Sequence, residues 1–251
     1  MSRRPLIAGN WKMHKTVAET EEFIAQLLAR LELEGTVEVA VCPAFVALPA
    51  AAAALRATDI GVFAQNMHHE DRGAFTGEIS PPMLRALAVD GAILGHSERR
   101  QYFGESDRAL QLKVPAALAA GLVPILCVGE TEQERERGET ERRLRHQVQE
   151  ALHRVQSDTL SEVVIAYEPV WAIGTGNVAT PEQAQEAMSF IRALIADRSR
   201  EQAQETRILY GGSVNADNAG ELLALPDVDG ALVGGASLDA ESFAAIVAAG
   251  R

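Results

Sequence analysis

Short apolar runs recur along the chain and alternate with longer amphipathic segments. Each run is three to six residues long and lacks polar alternation, a pattern typical of strands buried on both faces of a parallel sheet. Because a helical segment follows each run, the strands should pair in parallel through right-handed crossovers. This order allows either a doubly wound sheet or a closed barrel. The predicted strands lie at residues 6–11, 37–42, 60–65, 92–95, 122–127, 163–167, 208–210 and 231–233.

Helix starts can be placed by their capping residues. A Ser or Thr followed three residues later by Glu or Gln lets two side chains satisfy free backbone N–H groups of the first turn. Pro181 also suits a first helical position, and the first helix should run through Leu31. The capping pairs are Thr16 with Glu19, Thr131 with Glu134 and Thr180 with Gln183.

The segment 132–146 is densely charged. Glu139 and Arg143 are four residues apart, as are Glu141 and Arg145, which is the spacing of ion pairs on one helix face. We interpret the segment as a solvated helix face without chemistry.

The chain length leaves two possible domain organisations. A chain of 251 residues fits two small domains or one α/β barrel of roughly 250 residues. No linker rich in Pro or Ser and no shift in composition divides it, so we predict one domain over residues 1–251. The hydrophobic fraction of 47% is sufficient for a large buried core.

Charge and hydropathy narrow the possible partners. The formal net charge of −12 opposes non-specific binding to nucleic acid or anionic lipid. No apolar run approaches the roughly 18 residues of a membrane span, and the first run is interrupted at Asn10 and Lys12 without a signal-type cleavage region. We therefore expect a cytoplasmic protein with no nucleic-acid or membrane partner. Cys42 and Cys127 have no metal-ligand spacing and are expected to be small buried hydrophobic residues.

The stretch 166–176 combines a carboxylate with a lid-like loop. Glu168 follows an apolar strand, at the end where parallel sheets place their chemistry, and Pro169 ends the strand. Residues 170–173 are apolar, and Gly174 and Gly176 tolerate large dihedral changes. We interpret the stretch as a candidate base under a lid. A carboxylate that caps a neighbouring helix is the alternative.

Two other strand ends carry side chains suited to the same site. Asn10 and Lys12 close the first strand with an amide and a cation. His96 precedes a helix start at Ser97 and Glu98, whose dipole disfavours protonation and so makes a neutral imidazole plausible. Alternatively, His96 only satisfies a strand-end carbonyl and Glu98 pairs with the arginines that follow it.

The last two strands end in paired glycines. Gly211-Gly212-Ser213 and Gly234-Gly235 each precede a helix start, where exposed backbone N–H groups can bind an anion. The loops after strands seven and eight are a recurrent phosphate site of barrels. Together the two loops predict phosphate binding.

The whole chain strongly resembles the triosephosphate isomerase family. Ala8, His14, Lys15 and Asn177 differ from the residues expected around the family motifs, and none of these changes removes a catalytic group. The matching motifs are residues 9–13, 95–100, 167–176 and 210–213, in the family's order.

The resemblance implies a (β/α)8 barrel that interconverts dihydroxyacetone phosphate and glyceraldehyde 3-phosphate through an enediolate, in glycolysis and gluconeogenesis. No cofactor or metal ion is implied. Glu168 would be the base, neutral His96 the electrophile, and Lys12 would stabilise the oxyanion with help from Glu98. Asn10 would help to hold substrate. The implied phosphate-binding residues are Gly174, Ser213, Gly234 and Gly235.

Residues 66–82 form a long connection whose tip carries Phe75. In the resembling family this loop docks into the neighbouring subunit, so a homodimer through residues 66–82 is expected. A self-packed loop is the alternative.

Two other functions remain open from the sequence. Another phosphate-binding barrel, such as a sugar-phosphate epimerase or an aldolase, would share the glycine loops but not the set of His96, Glu168 and lid. A non-catalytic sugar-phosphate binder would be favoured by loss of Lys12, His96 or Glu168, and all three are present.

Overall fold

The computed structural model describes residues 3–31, 35–174 and 178–250. Its eight strands form one closed barrel in which each strand pairs in parallel with its neighbours in the chain, and β8 pairs with β1. The closed barrel is confirmed, and the doubly wound sheet is excluded. All eight predicted strands are present, with ends shifted by at most one residue. They are β1 Leu6–Asn10, β2 Glu38–Cys42, β3 Ile60–Ala64, β4 Gly91–Leu94, β5 Val123–Val128, β6 Val164–Tyr167, β7 Ile208–Tyr210 and β8 Gly230–Val233.

Helices surround the barrel in the expected alternation. Four 3₁₀ turns, at Phe45–Ala47, Ser157–Glu162, Val170–Ala172 and Gly235–Leu238, lie in the connections of the described chain. The helices are α1 Val17–Leu28, α2 Leu48–Leu55, α3 Pro81–Ala86, α4 Ser97–Phe103, α5 Asp107–Ala119, α6 Glu132–Glu136, α7 Thr140–Leu152, α8 Pro181–Ala196, α9 Arg200–Glu205, α10 Ala219–Leu223 and α11 Ala240–Ala249.

The three predicted capping boxes all form. Thr16, Thr131 and Thr180 are the N-caps of α1, α6 and α8, and each exchanges hydrogen bonds with the residue three positions on. Helix α1 ends at Leu28, earlier than the predicted Leu31.

The charged segment 132–146 differs from the single helix face that its spacing predicts. It breaks near Gly138, whose φ of 68° is left-handed, and α7 begins after the N-cap Glu139. Because Glu139 lies outside the helix, it pairs with Arg142 at 2.8 Å. Arg143 instead lies 3.5 Å from Glu134 of α6. Neither predicted i,i+4 pair is therefore among the ion pairs of the described chain.

The inside of the barrel is filled by side chains that alternate along the strands. These residues are Leu6, Ala8, Ala40, Cys42, Phe63, Ile93, Ile125, Cys127, Val164, Ala166, Leu209 and Leu232. Both cysteines are free and buried, as predicted, and burial raises the pKa of each thiol. A second, larger apolar cluster lies between the strands and the helices. The barrel is thus a packed support that holds the C-terminal strand ends in fixed positions.

No helix within the described ranges is long and apolar enough to cross a membrane.

Candidate active site

A cavity of about 450 Å³ opens at the C-terminal rim of the barrel. Its walls come from the loops after β1, β4, β6, β7 and β8, so side chains far apart in sequence meet there. All eight residues predicted for the site line it: Asn10, Lys12, His96, Glu168, Gly174, Ser213, Gly234 and Gly235.

Glu168 is held at the cavity by its backbone and by its carboxylate. Its N–H donates to Val128 O at 2.7 Å, which continues the barrel hydrogen bonding beyond β6. A Cβ on Gly129 would lie 1.7 Å from Glu168 O, and one on Gly211 would lie 2.9 Å from Glu168 Cγ. Both neighbouring strand ends therefore need glycine to let Glu168 fit. The side chain is 2% exposed, and Oε2 accepts a 2.8 Å hydrogen bond from Ser97 N.

His96 lies directly against Glu168. Its Nε2 is 2.9 Å from Glu168 Oε1, although Oε1 has no hydrogen-bond partner with good angular geometry among the described residues. His96 is also the N-cap of α4, and its Nδ1 accepts from Glu98 N at 3.3 Å. A ring that accepts at Nδ1 carries its proton on Nε2, which faces Glu168 and the cavity.

The two buried groups shift each other's pKa. Burial raises the pKa of Glu168, but the adjacent His96 and the Ser97 N–H outweigh burial, so this pKa lies below its usual value. Burial lowers the pKa of His96, whereas the Glu168 carboxylate raises it, and the net pKa lies above its usual value. The helix start that predicted a neutral imidazole is present. In this conformation, however, the carboxylate raises the pKa of His96 and so opposes the neutral form that acceptance of the Glu98 N–H at Nδ1 requires.

Lys12 projects into the cavity from a left-handed backbone, with φ of 52°. Such a conformation costs a non-glycine residue about 1–2 kcal/mol, so neighbouring contacts must hold it. Its N–H donates to Asn10 Oδ1 at 3.0 Å, and its carbonyl accepts from Gln65 Nε2 at 2.8 Å. Its Nζ lies 2.5 Å from Glu98 Oε1. Glu98 therefore contacts Lys12. Arg99 pairs with Glu105 and Arg100 with Asp107, so the alternative in which Glu98 pairs with these arginines is wrong.

The glycine loops present backbone donors to the cavity. A Cβ on Gly212 would lie 2.3 Å from the Tyr210 hydroxyl oxygen, so this position requires glycine. Gly234 O accepts from both the backbone N–H and the hydroxyl of Ser237, at 2.9 and 2.7 Å. Within the described ranges, the N–H groups of Ser213, Gly234 and Gly235 have no acceptor in the protein. These free donors suit an anion.

The described part of the predicted lid begins with a 3₁₀ turn over Val170–Ala172 and reaches Gly174, whose φ is 69°. Thr175, Gly176 and Asn177, which the sequence also placed in this loop, lie outside the described residues.

Sequence reasoning missed Glu130, which holds the start of the lid. Glu130 is fully buried, and its carboxylate accepts from Tyr167 Oη at 3.1 Å and Trp171 Nε1 at 2.9 Å. Arg135 lies 3.2 Å from this carboxylate and 4.7 Å from the centre of the Trp171 ring. Val170 N donates to Glu130 O. The available signal was its position: like Glu168, Glu130 is a carboxylate just past a strand end.

Sequence comparisons match nearly the whole chain. A model of the family described as Triosephosphate isomerase matches residues 5–250. A triosephosphate isomerase of Carboxydothermus hydrogenoformans is 54% identical over 246 residues, with 98% of each chain covered. One of Chloroflexus aurantiacus is likewise 54% identical over 98% of each chain, and one of Moorella thermoacetica is 52% identical over 98% of each. The chain belongs to the triosephosphate isomerase family.

Proposed function

We propose that this protein is a triose-phosphate isomerase, which interconverts dihydroxyacetone phosphate and D-glyceraldehyde 3-phosphate in glycolysis and gluconeogenesis. The observation that carries the proposal is the meeting of Glu168 and His96 in one cavity, beside Lys12 and the free N–H groups of the glycine loops. The cavity offers a base for a carbon-bound proton, a donor for a carbonyl oxygen and N–H groups for a phosphate. Such a proton shift needs no cofactor or metal ion.

Glu168 acts as the base in this proposal. Its carboxylate takes a proton from C1 of dihydroxyacetone phosphate, and the C1 electron pair moves to form the enediolate double bond. The carbonyl oxygen at C2 becomes the oxyanion. The C2 oxyanion then takes up a proton and the C1 hydroxyl gives one up, and return of the proton from Glu168 to C2 gives the aldehyde. In the present structure Oε2 is held by Ser97 N, so the carboxylate must leave that donor to reach the substrate.

His96 donates the Nε2 proton to the substrate oxygens. Movement of Glu168 away from the ring removes the carboxylate that raises the pKa of His96. Burial, the largest influence on this pKa, lowers it and remains in place, as do the smaller opposing effects of Glu98, which raises it, and Lys12, which lowers it. A neutral imidazole is therefore favoured once substrate is bound, as the helix start at Ser97 predicts. Lys12 supplies the positive charge for the oxyanion, while Asn10 fixes the backbone of Lys12.

The phosphate is held by backbone donors of Gly174, Ser213, Gly234 and Gly235. Local N–H dipoles allow a protein of net charge −12 to bind an anion. A fixed phosphate also keeps the reacting carbons in line with Glu168, which converts binding energy into orientation.

The activity is tested with purified protein and glyceraldehyde 3-phosphate, by coupling the formation of dihydroxyacetone phosphate to glycerol 3-phosphate dehydrogenase. We expect turnover in the presence of a metal chelator. Absence of turnover, with 2-phosphoglycolate still bound, would favour a non-catalytic binder.

We propose that the lid starting at Val170 closes over the substrate and protects the enediolate from losing its phosphate. The hydrogen bond between Trp171 and Glu130 supports this, because it joins the lid start to the buried end of β5.

Trp171→Phe removes the N–H donor while keeping an aromatic ring under Arg135. Because one hydrogen bond is worth about 0.5–1.5 kcal/mol, we expect kcat/KM to fall by about 2- to 12-fold. The share of substrate released as methylglyoxal should rise. The measurement is product analysis by NMR, with unchanged partitioning as the contradicting result.

We further propose a homodimer formed through residues 66–82. Exposed apolar side chains support it, since they lie in the connections that follow β1 to β4, four adjacent strands. They are Met13, Val46, Phe75, Met83, Tyr102 and Phe103, of which Met13 is 93% exposed. Phe75 packs on His68, with ring centres 4.1 Å apart, so the loop has a defined shape.

Light scattering should give about twice the chain mass of 26.9 kDa. Phe75→Glu places a charge in the apolar patch and should shift the mass toward a monomer. Val178→Glu is the matched control, because Val178 is also half exposed but follows β6 on another side of the barrel. A monomeric parent protein would refute the dimer.

We also propose that residues 1–251 form one domain and that the protein works in the cytoplasm. The closed barrel, which uses strands from Leu6 to Val233, supports the first point. The proposed reaction, a step of central sugar metabolism, supports the second.

A further inference from the structure

Lys15 lies two residues beyond the motif at residues 9–13, and the proposed catalysis does not use it. It lies in the loop between β1 and α1, with a left-handed φ of 69° that favours glycine. A lysine in this conformation must be held by contacts with its surroundings.

The Lys15 side chain crosses two buried aromatic rings. Its Nζ lies 4.4 Å from the centre of the Phe23 ring and 5.5 Å from that of Trp11. Trp11 is fully buried and directly precedes Lys12, so Lys15 packs against the same loop that presents the catalytic cation. The ammonium then donates a 2.8 Å hydrogen bond to Leu238 O, 223 positions along the chain.

Leu238 ends the 3₁₀ turn Gly235–Leu238, which begins within the second glycine loop. The start of the turn is closed by hydrogen bonds from Ser237 to Gly234 O. Leu238 itself lines the catalytic cavity. The hydrogen bond from Lys15 to Leu238 O therefore fixes the far end of the turn to the loop after β1.

The charge of Lys15 strengthens this contact. Hydrogen bonds from a charged donor are stronger than neutral ones. Burial lowers the pKa of Lys15. The acidic groups that face it, Glu19, Asp239 and Glu22, partly offset this effect because each favours the charged ammonium. A carbonyl, not a carboxylate, receives the hydrogen bond.

We propose that Lys15 is a positioning residue for phosphate binding, which holds the Gly235–Leu238 turn so that the Gly234 and Gly235 N–H groups meet the substrate phosphate. This rests on the proposed function. Lys15 does not touch the reacting atoms. Its loss should therefore weaken affinity for the phosphate group and leave the chemical step unchanged.

Lys15→Met keeps the length of the side chain and its contact with the rings but removes the ammonium. We expect the KM for glyceraldehyde 3-phosphate and the Kd for 2-phosphoglycolate to rise by about 3- to 10-fold, less than the full loss of a charged hydrogen bond because Lys15 acts on the phosphate only through the turn. We expect kcat to change by less than about 2-fold, since the reacting groups are untouched. Glyceraldehyde, which lacks the phosphate, should be converted with unchanged kcat/KM. Lys15→Arg should restore most of the affinity.

Arg30→Met is the matched control. Arg30 also donates to a backbone carbonyl, Gln26 O at 2.8 Å, but from the exposed end of α1. This control removes the same charge without touching the phosphate loop, and its KM should equal that of the parent. If Lys15→Met proves unstable, Lys15→Gly, which suits the positive φ, should lose the same affinity.

Two results would overturn the proposal. One is a Lys15→Met protein with lower thermal stability but unchanged KM and Kd, which would make the contact purely structural. The other is an equal loss of activity on glyceraldehyde, which would place the effect on the chemical step. If the parent protein does not isomerise triose phosphates, the proposed function fails. The Kd for 2-phosphoglycolate then still decides the role of Lys15.

Discussion

Glu168→Gln is expected to lower kcat by about 10²- to 10⁴-fold, the contribution of a positioned general base. Glutamine keeps the size of the side chain and can still accept the Ser97 N–H, but it cannot take a proton from carbon. Because the pKa of Glu168 lies below its usual value, the parent carboxylate is ionised at neutral pH and ready to act. The measurement is the steady-state kcat and KM in both directions.

The Glu168→Gln protein must also be shown to be folded and able to bind. Its melting temperature and its Kd for 2-phosphoglycolate serve as controls. Glu168→Asp is a second variant, because it keeps the charge and moves it away from the substrate carbon; it should also lose turnover. Turnover in the glutamine variant close to that of the parent would remove Glu168 from the role of base.

Lys12→Met is expected to lower kcat/KM by about 10²- to 10³-fold, the range for losing one group that stabilises an oxyanion. The change also leaves Glu98 without the ammonium that lies 2.5 Å from it. A carboxylate near the cavity would then repel the enediolate. The measurement is kcat/KM together with the inhibition constant of 2-phosphoglycolate, which should rise as well.

Glu98→Gln separates the two effects of the lysine change. It keeps Lys12 and weakens only its ion pair, so activity should fall by much less than in Lys12→Met. In the Lys12→Met, Glu98→Gln double variant, part of the lost activity should return. Equal activity of Lys12→Met and the parent would show that the oxyanion does not depend on this cation.

Much of the barrel can be predicted from local pattern. Strands buried on both faces leave apolar runs, and capping boxes mark helix starts, so the strand ends and the starts of α1, α6 and α8 could be placed. Barrel closure could not be predicted from periodicity, because an open sheet shows the same alternation. The resemblance to the family supplied that step. The break at Gly138 was missed because the charged spacing continues across it.

The candidate site could be predicted where a residue type and a strand end coincide. Glu168, His96 and Lys12 each follow a strand, and the barrel brings them together. The supporting contacts could not be predicted in this way. Three hydrogen bonds join residues that are 41 to 223 positions apart in the sequence. The donors are Gln65, Trp171 and Lys15, and the acceptors are Lys12 O, the Glu130 carboxylate and Leu238 O, respectively. Only the closed barrel sets which loops become neighbours.

Conversion of dihydroxyacetone phosphate in D₂O tests proton transfer by Glu168 most directly. The base exchanges its proton with solvent while the enediolate exists, so the glyceraldehyde 3-phosphate formed should carry deuterium at C2, as read by NMR. The Glu168→Gln protein should form little product and exchange little deuterium. Rapid conversion by the parent protein with only protium at C2 would contradict the mechanism, because the hydrogen would then have moved without passing through an exchangeable base.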